Sequence, residues 1–175
     1  TINLGLATRN LVSDDTMLVG ANIFYDHELD HNHQRASIGL EAITSVGSIT
    51  YNEYWGLSDK KTGVDGFKEE ALDGRDLKLG IPLPYLPTTS LNIRSFQWEG
   101  VDGATDLEGE DFSLRASISR FNIEIGHRDF DGATDDEDFI RLTYRCCKGE
   151  YEKFEISDKA FSGVSVENKR FAKVE

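Results

Sequence analysis

The sequence lacks any run of about 18 or more consecutive apolar residues, which excludes a transmembrane helix. It has only two cysteines, adjacent at 146 and 147, so it contains no disulfide framework. Basic residues are scarce: 19 Lys and Arg stand against 32 Asp and Glu, and the net charge of −13 disfavours nucleic acid as a partner. With 175 residues the chain is long enough for one domain, either with a sizeable core or as one modest barrel.

Alternation of apolar and polar residues is the strongest pattern in the sequence. It runs through residues 17–25, 36–42 and 49–57. A period of two predicts β-strands with one apolar and one polar face. The polar segment 27–33 and the tight turn 45–47 join these three strands into an antiparallel meander. The same unit repeats through most of the chain.

Nine strands are predicted in this way. Two positions depart from the pattern. Phe96 and Trp98 break the phase set by Leu91 and Ile93, which predicts a bulge in the sixth strand. Glu53 has the apolar phase of the fourth strand. The nine stretches are 2–12, 17–26, 35–42, 48–57, 75–83, 90–99, 111–119, 121–129 and 139–145.

The alternation does not decide by itself which face is buried. In a soluble β-sandwich the apolar face forms the core, whereas in an outer-membrane barrel it meets lipid and the polar face lines a lumen. Strands of about ten residues suit a tilted bilayer crossing, since soluble strands average about five or six. The sequence therefore predicts an all-β fold, an antiparallel up-and-down transmembrane β-barrel of the outer-membrane type. A soluble or surface β-sandwich that binds through acidic loops is the alternative.

Charged residues of both signs occur in mid-strand on the polar phase, which suits a water-filled lumen. We predict that they line a polar conduit. The predicted lumen-lining residues are Arg9, Arg35, Glu41, Asp76, Lys78, Arg115, Glu124, Arg141 and Arg145.

The connections alternate in length without exception, as do the periplasmic turns and extracellular loops of outer-membrane barrels. The long loops with their immediate flanks hold 18 of the 32 acidic residues and only three Lys or Arg, which suits solvated loops outside the cell. Short turns are predicted at 13–15, 45–47, 86–88 and 119–120, and long connections at 27–33, 59–74, 100–110 and 130–137.

The loop assignment also sets strand direction. The first and ninth strands both run toward the periplasm, and a closed antiparallel barrel cannot pair two strands of the same direction. We therefore expect an odd number of further strands upstream, and expect the chain to be a fragment. Residues 1–146 are predicted to form barrel strands. Residues 147–175 lose the alternation and are predicted to form a tail that begins at the periplasmic end.

Several stretches resemble the β-domain of the inverse autotransporters, the intimin and invasin family. They are LGLATRNLVSDDTMLVGANIFYDHELDHNHQRASIGLEA (4–42), NEYWGLSDKK (52–61), GRDLKLGIPLPYLP (74–87) and the tail ending NKRFAKVE (168–175). Together they cover most of the chain in family order, and the pairing of MLVGANIFYDHEL with a following Arg and IGLE is fairly specific.

The resemblance implies a twelve-stranded outer-membrane barrel, of which nine strands are visible here. It implies a translocator and anchor that exports and displays a C-terminal adhesin passenger through its own lumen. Residues 147–175 are then the segment expected to enter the lumen. The implied partners are outer-membrane lipid, the chain's own passenger, the barrel-assembly machinery and periplasmic chaperones. The implied location is the bacterial outer membrane.

Candidate metal sites are weak in this sequence. The segment 26–33 has three histidines and three acids, but a loop at a strand end supplies no fixed second shell. The repeated Asp-Gly-Ala-Thr-Asp at 102–106 and 131–135 could bind calcium weakly, although turn formation explains it. We predict no metal and no cofactor.

Catalytic groups are also poorly supported. Cys146 and Cys147 lack partner ligands elsewhere and are interpreted as ordinary thiols, with a strained vicinal disulfide or a metal site as the alternative. A catalytic set needs a base within hydrogen-bond reach of its nucleophile, and His127, the only mid-strand histidine, leaves His127 with Asp129 as the catalytic alternative. We therefore predict that the chain is not an enzyme.

Overall fold

The computed structural model describes residues 1–30, 32–62, 68–100, 105–132, 134–144, 154, 156–161, 166–167 and 170. Its described secondary structure consists of strands, and among these residues no helix is long and apolar enough to span a membrane. The strands are β1 (Ile2–Val12), β2 (Met17–His27), β3 (Gln34–Thr44), β4 (Ser48–Gly56), β5 (Lys61–Thr62), β6 (Lys68–Glu69), β7 (Gly74–Leu83), β8 (Leu86–Trp98), β9 (Leu107–Ile118), β10 (Phe121–Phe130) and β11 (Glu137–Tyr144).

Nine long strands form one antiparallel sheet in the order β1-β2-β3-β4-β7-β8-β9-β10-β11. Each strand pairs with its neighbour in the chain, so the topology is up-and-down throughout. The two-residue strands β5 and β6 pair only with each other, inside the connection between β4 and β7. The predicted all-β, antiparallel up-and-down fold is confirmed. The sandwich alternative is not, since no second sheet of comparable size covers this one among the described residues.

The alternation of connection lengths is also confirmed. Connections of two to four residues follow β1, β3, β7 and β9, whereas connections of six to 17 residues follow β2, β4, β8 and β10. All short connections therefore lie at one end of the sheet, called here the turn end. All long connections lie at the other end, called here the loop end.

Two local predictions are wrong. The turn expected at 86–88 is Pro84-Tyr85, because Tyr85 adopts a left-handed conformation (φ 64°) and the chain re-enters the ladder at Leu86. The register irregularity lies beside this turn, between Pro82 and Leu83, and not near Phe96. Pairing of β8 with β9 is uninterrupted from Thr89 to Trp98.

The two edge strands of the sheet, β1 and β11, run in the same direction. Within the described residues they do not pair with each other, and the sheet is open between them. Antiparallel closure of such a sheet requires an odd number of additional strands between its two edges.

Burial in the sheet is inverted relative to a soluble protein. Among the described residues only Leu18, Phe96 and Val166 are buried and apolar. Outward residues are exposed instead, with Leu6 at 74% and Ile140 at 79%. A contiguous exposed apolar face of this size marks an interface with protein or membrane. The buried polar and charged residues are Asn22, Ser37, Glu41, Asn52, Asp76, Thr89, Asp111, Ser113 and Glu124.

Candidate functional site

The candidate site is the face of the sheet that carries these buried polar residues, called here the polar face. Its side chains come from alternate positions of all nine long strands, because successive residues of a strand point to opposite sides. A single-layered sheet buries one face by curling toward it or by being covered there. The opposite side, called here the apolar face, is exposed in every long strand.

Arg9 and Glu41 form an ion pair across the strand between them. Nη2 of Arg9 donates to Oε2 of Glu41 at 2.9 Å, and Nε donates to Oε1. Both side chains are nearly inaccessible, at 6% and 4% exposure. Gly20 of β2 lies beneath the pair, and a Cβ there would meet the carboxylate of Glu41. The glycine therefore lets two side chains meet from strands that are not neighbours.

Asp76 is the most buried charged residue of the polar face, with 3% exposure. It accepts hydrogen bonds from Nδ2 of Asn52 at 2.9 Å and from the hydroxyl of Tyr54 at 3.2 Å. Nη2 of Arg94 donates a third hydrogen bond, to Oδ2 of Asp76, at 3.3 Å. A buried carboxylate needs such partners to offset its desolvation, so these contacts hold three strands in register.

Asp111 continues this network along the sheet. It accepts from Nη1 of Arg94 at 3.3 Å, and from Nε of Arg128 at 2.6 Å and Nη2 at 3.2 Å. Nη1 of Arg128 also reaches Glu137 on β11 at 3.5 Å. Charges of alternating sign therefore run from β7 to β11 across the polar face, which neutralises each of them locally.

Glu124 is the centre of a second cluster, nearer the turn end. The hydroxyl of Ser113 donates to its Oε1 at 2.8 Å, whereas Oε2 accepts from Arg141 at 2.8 Å and from Arg115 at 3.4 Å. The cluster couples β9, β10 and β11. The carboxylate is buried while both guanidinium groups are partly solvated.

Aromatic rings on the polar face lie beneath the arginines. The guanidinium carbon of Arg94 is 5.0 Å from the ring centroid of Phe96, and that of Arg128 is 5.7 Å from the same ring. Arg35 lies over Tyr54 at 5.0 Å and over Trp98 at 5.5 Å. Such contacts stabilise a desolvated guanidinium and also hold the rings against the sheet.

Glycines give these rings their space. The ring of Phe24 covers Gly5, and that of Trp98 covers Gly74. Phe96 and Phe139 cover glycines of β9 and β10 in the same way. A ring that lies flat over a glycine occupies the wall rather than the space above it, so these pairs keep the polar face shallow.

Eight of the nine predicted lumen-lining residues share the polar face, and Arg145 lies outside the described residues. Whether they surround an enclosed lumen stays a prediction. Sequence analysis missed the polar partners Asn52 and Tyr54. It also missed five charged members of the polar face, which are Asp26 (bonded to Arg35), Arg94, Asp111, Arg128 and Glu137. The eight residues that share the polar face are Arg9, Arg35, Glu41, Asp76, Lys78, Arg115, Glu124 and Arg141.

The predicted metal candidates are dispersed. Nε2 of His27 lies 2.6 Å from Oδ1 of Asn32, and His33 lies near Ser58 and Glu69. Among the described residues no group of three or more His, Cys, Asp and Glu could hold a metal ion. Residue 31, the cysteines at 146–147 and parts of both Asp-Gly-Ala-Thr-Asp repeats lie outside the described residues.

The candidate acid–base pair is not assembled. His127 points away from the polar face, and its Nδ1 lies 2.9 Å from Oδ1 of Asp138 on β11 rather than from Asp129. The side chain of Asp138 is 92% exposed. This contact is an exposed pair between neighbouring strands, near the loop end.

The described tail residues contact the turn end of the sheet. The backbone N–H of Tyr85 donates to the carbonyl of Ala160 at 3.0 Å, and the carbonyl of Tyr85 accepts from Ser157 at 2.9 Å. Further along, the N–H of Val166 donates to the carbonyl of Asp15 at 2.9 Å. Entry of residues 147–175 into a lumen stays a prediction.

On the apolar face, the apolar residues give way to charged ones near the loop end, and the level of this boundary changes from strand to strand. Leu77, the last apolar residue of β7, pairs in register with Ser95, which is already polar on β8. Phe112 of β9 likewise pairs with His127 of β10. The last apolar residues before the loop end are Leu77, Ile93, Phe112, Ile125 and Ile140 on β7, β8, β9, β10 and β11.

The boundary moves two residues toward the turn end from β7 to β8, and two more from β9 to β10. It stays level from β8 to β9 and from β10 to β11. It therefore moves four residues over four strand-to-strand steps. One residue per step is about 3.3 Å along the strand for about 4.8 Å across it, a slope of about 35°. Strands of membrane barrels tilt by about 35–45°. A flat membrane surface that crosses tilted strands produces such a sloping boundary. At this boundary Glu53 of β4 lies opposite Arg75 of β7, so both charges are near the membrane surface in this interpretation.

An up-and-down sheet with a buried polar face, an exposed apolar face and this sloping boundary is typical of a β-barrel of the outer-membrane type. Over residues 1–175 the chain matches the family described as "Inverse autotransporter, beta-domain", and it belongs to that family.

Two curated relatives and one solved structure are similar to the chain. It is 27% identical over 100 residues to a putative attaching and effacing protein homolog of Escherichia coli (strain K12), covering 56% of this chain and 34% of the relative. It is 23% identical over 124 residues to an invasin of Yersinia enterocolitica, covering 67% of this chain and 15% of the relative. The chain thus spans about a third or less of these relatives.

The structural relative is a chain from "Unveiling the Mechanism Behind the in-meso Crystallization of Membrane Proteins". It superposes with a TM-score of 0.67 at 19% identity, over 81% of this chain and 61% of that one. At this identity the likeness concerns the fold alone.

Proposed function

We propose that the chain is the membrane-embedded translocator and anchor of an outer-membrane adhesin, and that it displays a C-terminal passenger through its own lumen. The observation that carries the proposal is the inverted sheet, with charge networks on the buried polar face and an exposed, apolar face whose boundary slopes. The relatives named for attaching and effacing and for invasion support an adhesive passenger. No step of this function needs an enzyme or a cofactor.

The proposed partners follow from the two faces. Outer-membrane lipid covers the apolar face, and the chain's own polypeptide occupies the polar face. The loop end faces the outside of the cell, because its long connections are acidic and suit water. Folding and insertion of such a sheet require periplasmic chaperones and the barrel-assembly machinery, since its apolar face is exposed before insertion.

Planar-bilayer recording of the full-length protein tests the proposal. Deletion of residues 148–175 removes the segment proposed to return through the lumen, so single-channel conductance should rise. Heat-modifiable migration of both forms on gels controls for folding of the barrel. A truncated protein that is folded and conducts no better than the intact one would show that the tail lies outside the pore.

A further inference from the structure

The polar face contains a cavity whose floor is made of small residues. Gly80, Asn92 and Ser113 lie side by side in register on β7, β8 and β9. Ser48 of β4 lies opposite Gly80, and its Oγ takes the space of the side chain that Gly80 lacks. The cavity has a volume of about 300 Å³, enough for about ten water molecules, which is the lower end of the range for ligand pockets.

Cations surround this floor on two sides. Lys78 and Arg94 are its neighbours toward the loop end, whereas Arg115 and Arg141 lie toward the turn end. The excess of positive charge contrasts with the net charge of −13 of the whole chain. The cavity is called here the cationic basin, and its charged lining consists of Lys78, Arg94, Arg115, Arg128 and Arg141, with the carboxylates Asp76, Asp111 and Glu124.

The carboxylates of the basin lie deeper than the guanidinium groups that bind them. The side chain of Asp76 is 2% exposed against 26% for Arg94, and that of Glu124 is 10% exposed against 58% for Arg141. Asp111 is likewise less exposed than its arginine partners. A ligand that enters the basin therefore meets guanidinium groups first, while the carboxylates stay bonded beneath them.

Lys78 is the cation of the basin that has no carboxylate partner. It lies directly opposite Arg94 in register, where like charges on neighbouring strands destabilise a sheet. Its other register partner is the uncharged Thr50, and Asp76, two residues before it, is already bonded to three other donors. Among the described residues Lys78 has no ion pair and no hydrogen bond. This repulsive pair of cations points to an anion that is supplied from outside the chain.

We propose that the cationic basin binds a small anion of the phosphate class, either inorganic phosphate or a small phosphate monoester. The oxygens of such an anion can accept hydrogen bonds from Lys78 and from several of the guanidinium groups around it at the same time. The hydroxyl of Ser48, which has no partner among the described residues, is a further donor at the floor. A phosphate monoester carries a charge of about −1.5 to −2 at pH 7, more than a single carboxylate or chloride supplies.

The phosphate group is common to both forms of this ligand. A phospholipid fits the basin poorly, because its acyl chains would have to lie along the polar face. The proposal needs only that water reaches this face, so it goes beyond the proposed function and does not depend on the export of a passenger.

Isothermal titration calorimetry of the full-length protein in detergent tests the basin. Inorganic phosphate and glycerol phosphate are titrated separately, at a constant ionic strength that is set with chloride. We expect saturable binding of one anion per chain for at least one of them, and the tighter one identifies the form of the ligand. Lys78→Gln should raise its Kd at least tenfold. Arg75→Gln, which removes the same charge three residues away on the apolar face of β7, should change that Kd less than twofold.

Urea unfolding from lipid vesicles supplies a second readout, because a ligand stabilises the form that binds it. In chloride, Lys78→Gln should be at least as stable as the unchanged protein, since it relieves the repulsion with Arg94. Replacing chloride by phosphate should then raise the unfolding midpoint of the unchanged protein and of Arg75→Gln more than that of Lys78→Gln.

The outcomes distinguish a site from a general ion effect. Absence of saturable binding, or equal Kd values for the two variants, would overturn the proposal. Phosphate also stabilises folded proteins in general, so an equal rise of the midpoint in all three proteins would be that general effect and would contradict the site.

Discussion

Arginine substitutions on the two faces of the sheet test whether the apolar face contacts lipid or water. Ile123 is the middle one of three outward apolar residues of β10, and its side chain is 38% exposed. Asn122, its neighbour in the chain, points to the polar face and lies between Ser117 and Thr143 in register. Ile123→Arg and Asn122→Arg therefore introduce the same group on the same strand, on opposite faces.

The expected costs differ because only one of these arginines must leave water. At the midplane of a bilayer, Arg on the lipid face of a barrel costs about 2–4 kcal/mol. Ile123→Arg should therefore lower the folding equilibrium constant roughly 30- to 700-fold. Asn122→Arg should cost less than about 1 kcal/mol, because Glu124 lies two residues away on the same face and the small neighbours leave space.

Equilibrium unfolding in urea from lipid vesicles, with the full-length protein, measures both free energies. A soluble sheet predicts the reverse order, since Ile123→Arg would then point into water and Asn122→Arg into the protein core. Equal costs for the two variants, or a larger cost for Asn122→Arg, would refute the assignment of the faces.

Three further predictions test other parts of the structure. Protease added to intact cells should cut within 57–73 and 131–136, while sparing the short turns; cleavage confined to the short turns would reverse the orientation. Glu124→Ala should cost about 1–2 kcal/mol in urea unfolding, discounted because its arginine partners are partly solvated, and Glu124→Gln should cost less because Ser113 keeps an acceptor. Gly5→Ala should cost about 1–3 kcal/mol by displacing the ring of Phe24. Adding Phe24→Ala should then recover part of that loss, and additive costs in the double variant would contradict the contact.

The strands and the polar face were predictable because a period of two is local information. Each of Arg9, Glu41 and Glu124 lies in a stretch whose alternation is regular, so its face follows from its neighbours. Arg94 was missed because Phe96 and Trp98 made β8 look irregular. The backbone there is regular, and these aromatic residues belong to the polar face, where they support guanidinium groups. Alternation by hydrophobicity therefore fails where the polar face itself carries aromatic rings.

The sloping boundary shows what register adds to a sequence. Each strand by itself reveals only where its apolar stretch ends, as at Leu77 or Ile125. The slope exists between strands, because it depends on which residue of β8 lies beside Leu77 and which residue of β10 lies beside Phe112. A soluble sheet has no reason to move that boundary steadily in one direction. The tilt of about 35° that follows from it agrees with a membrane barrel even though β1 and β11 are not joined.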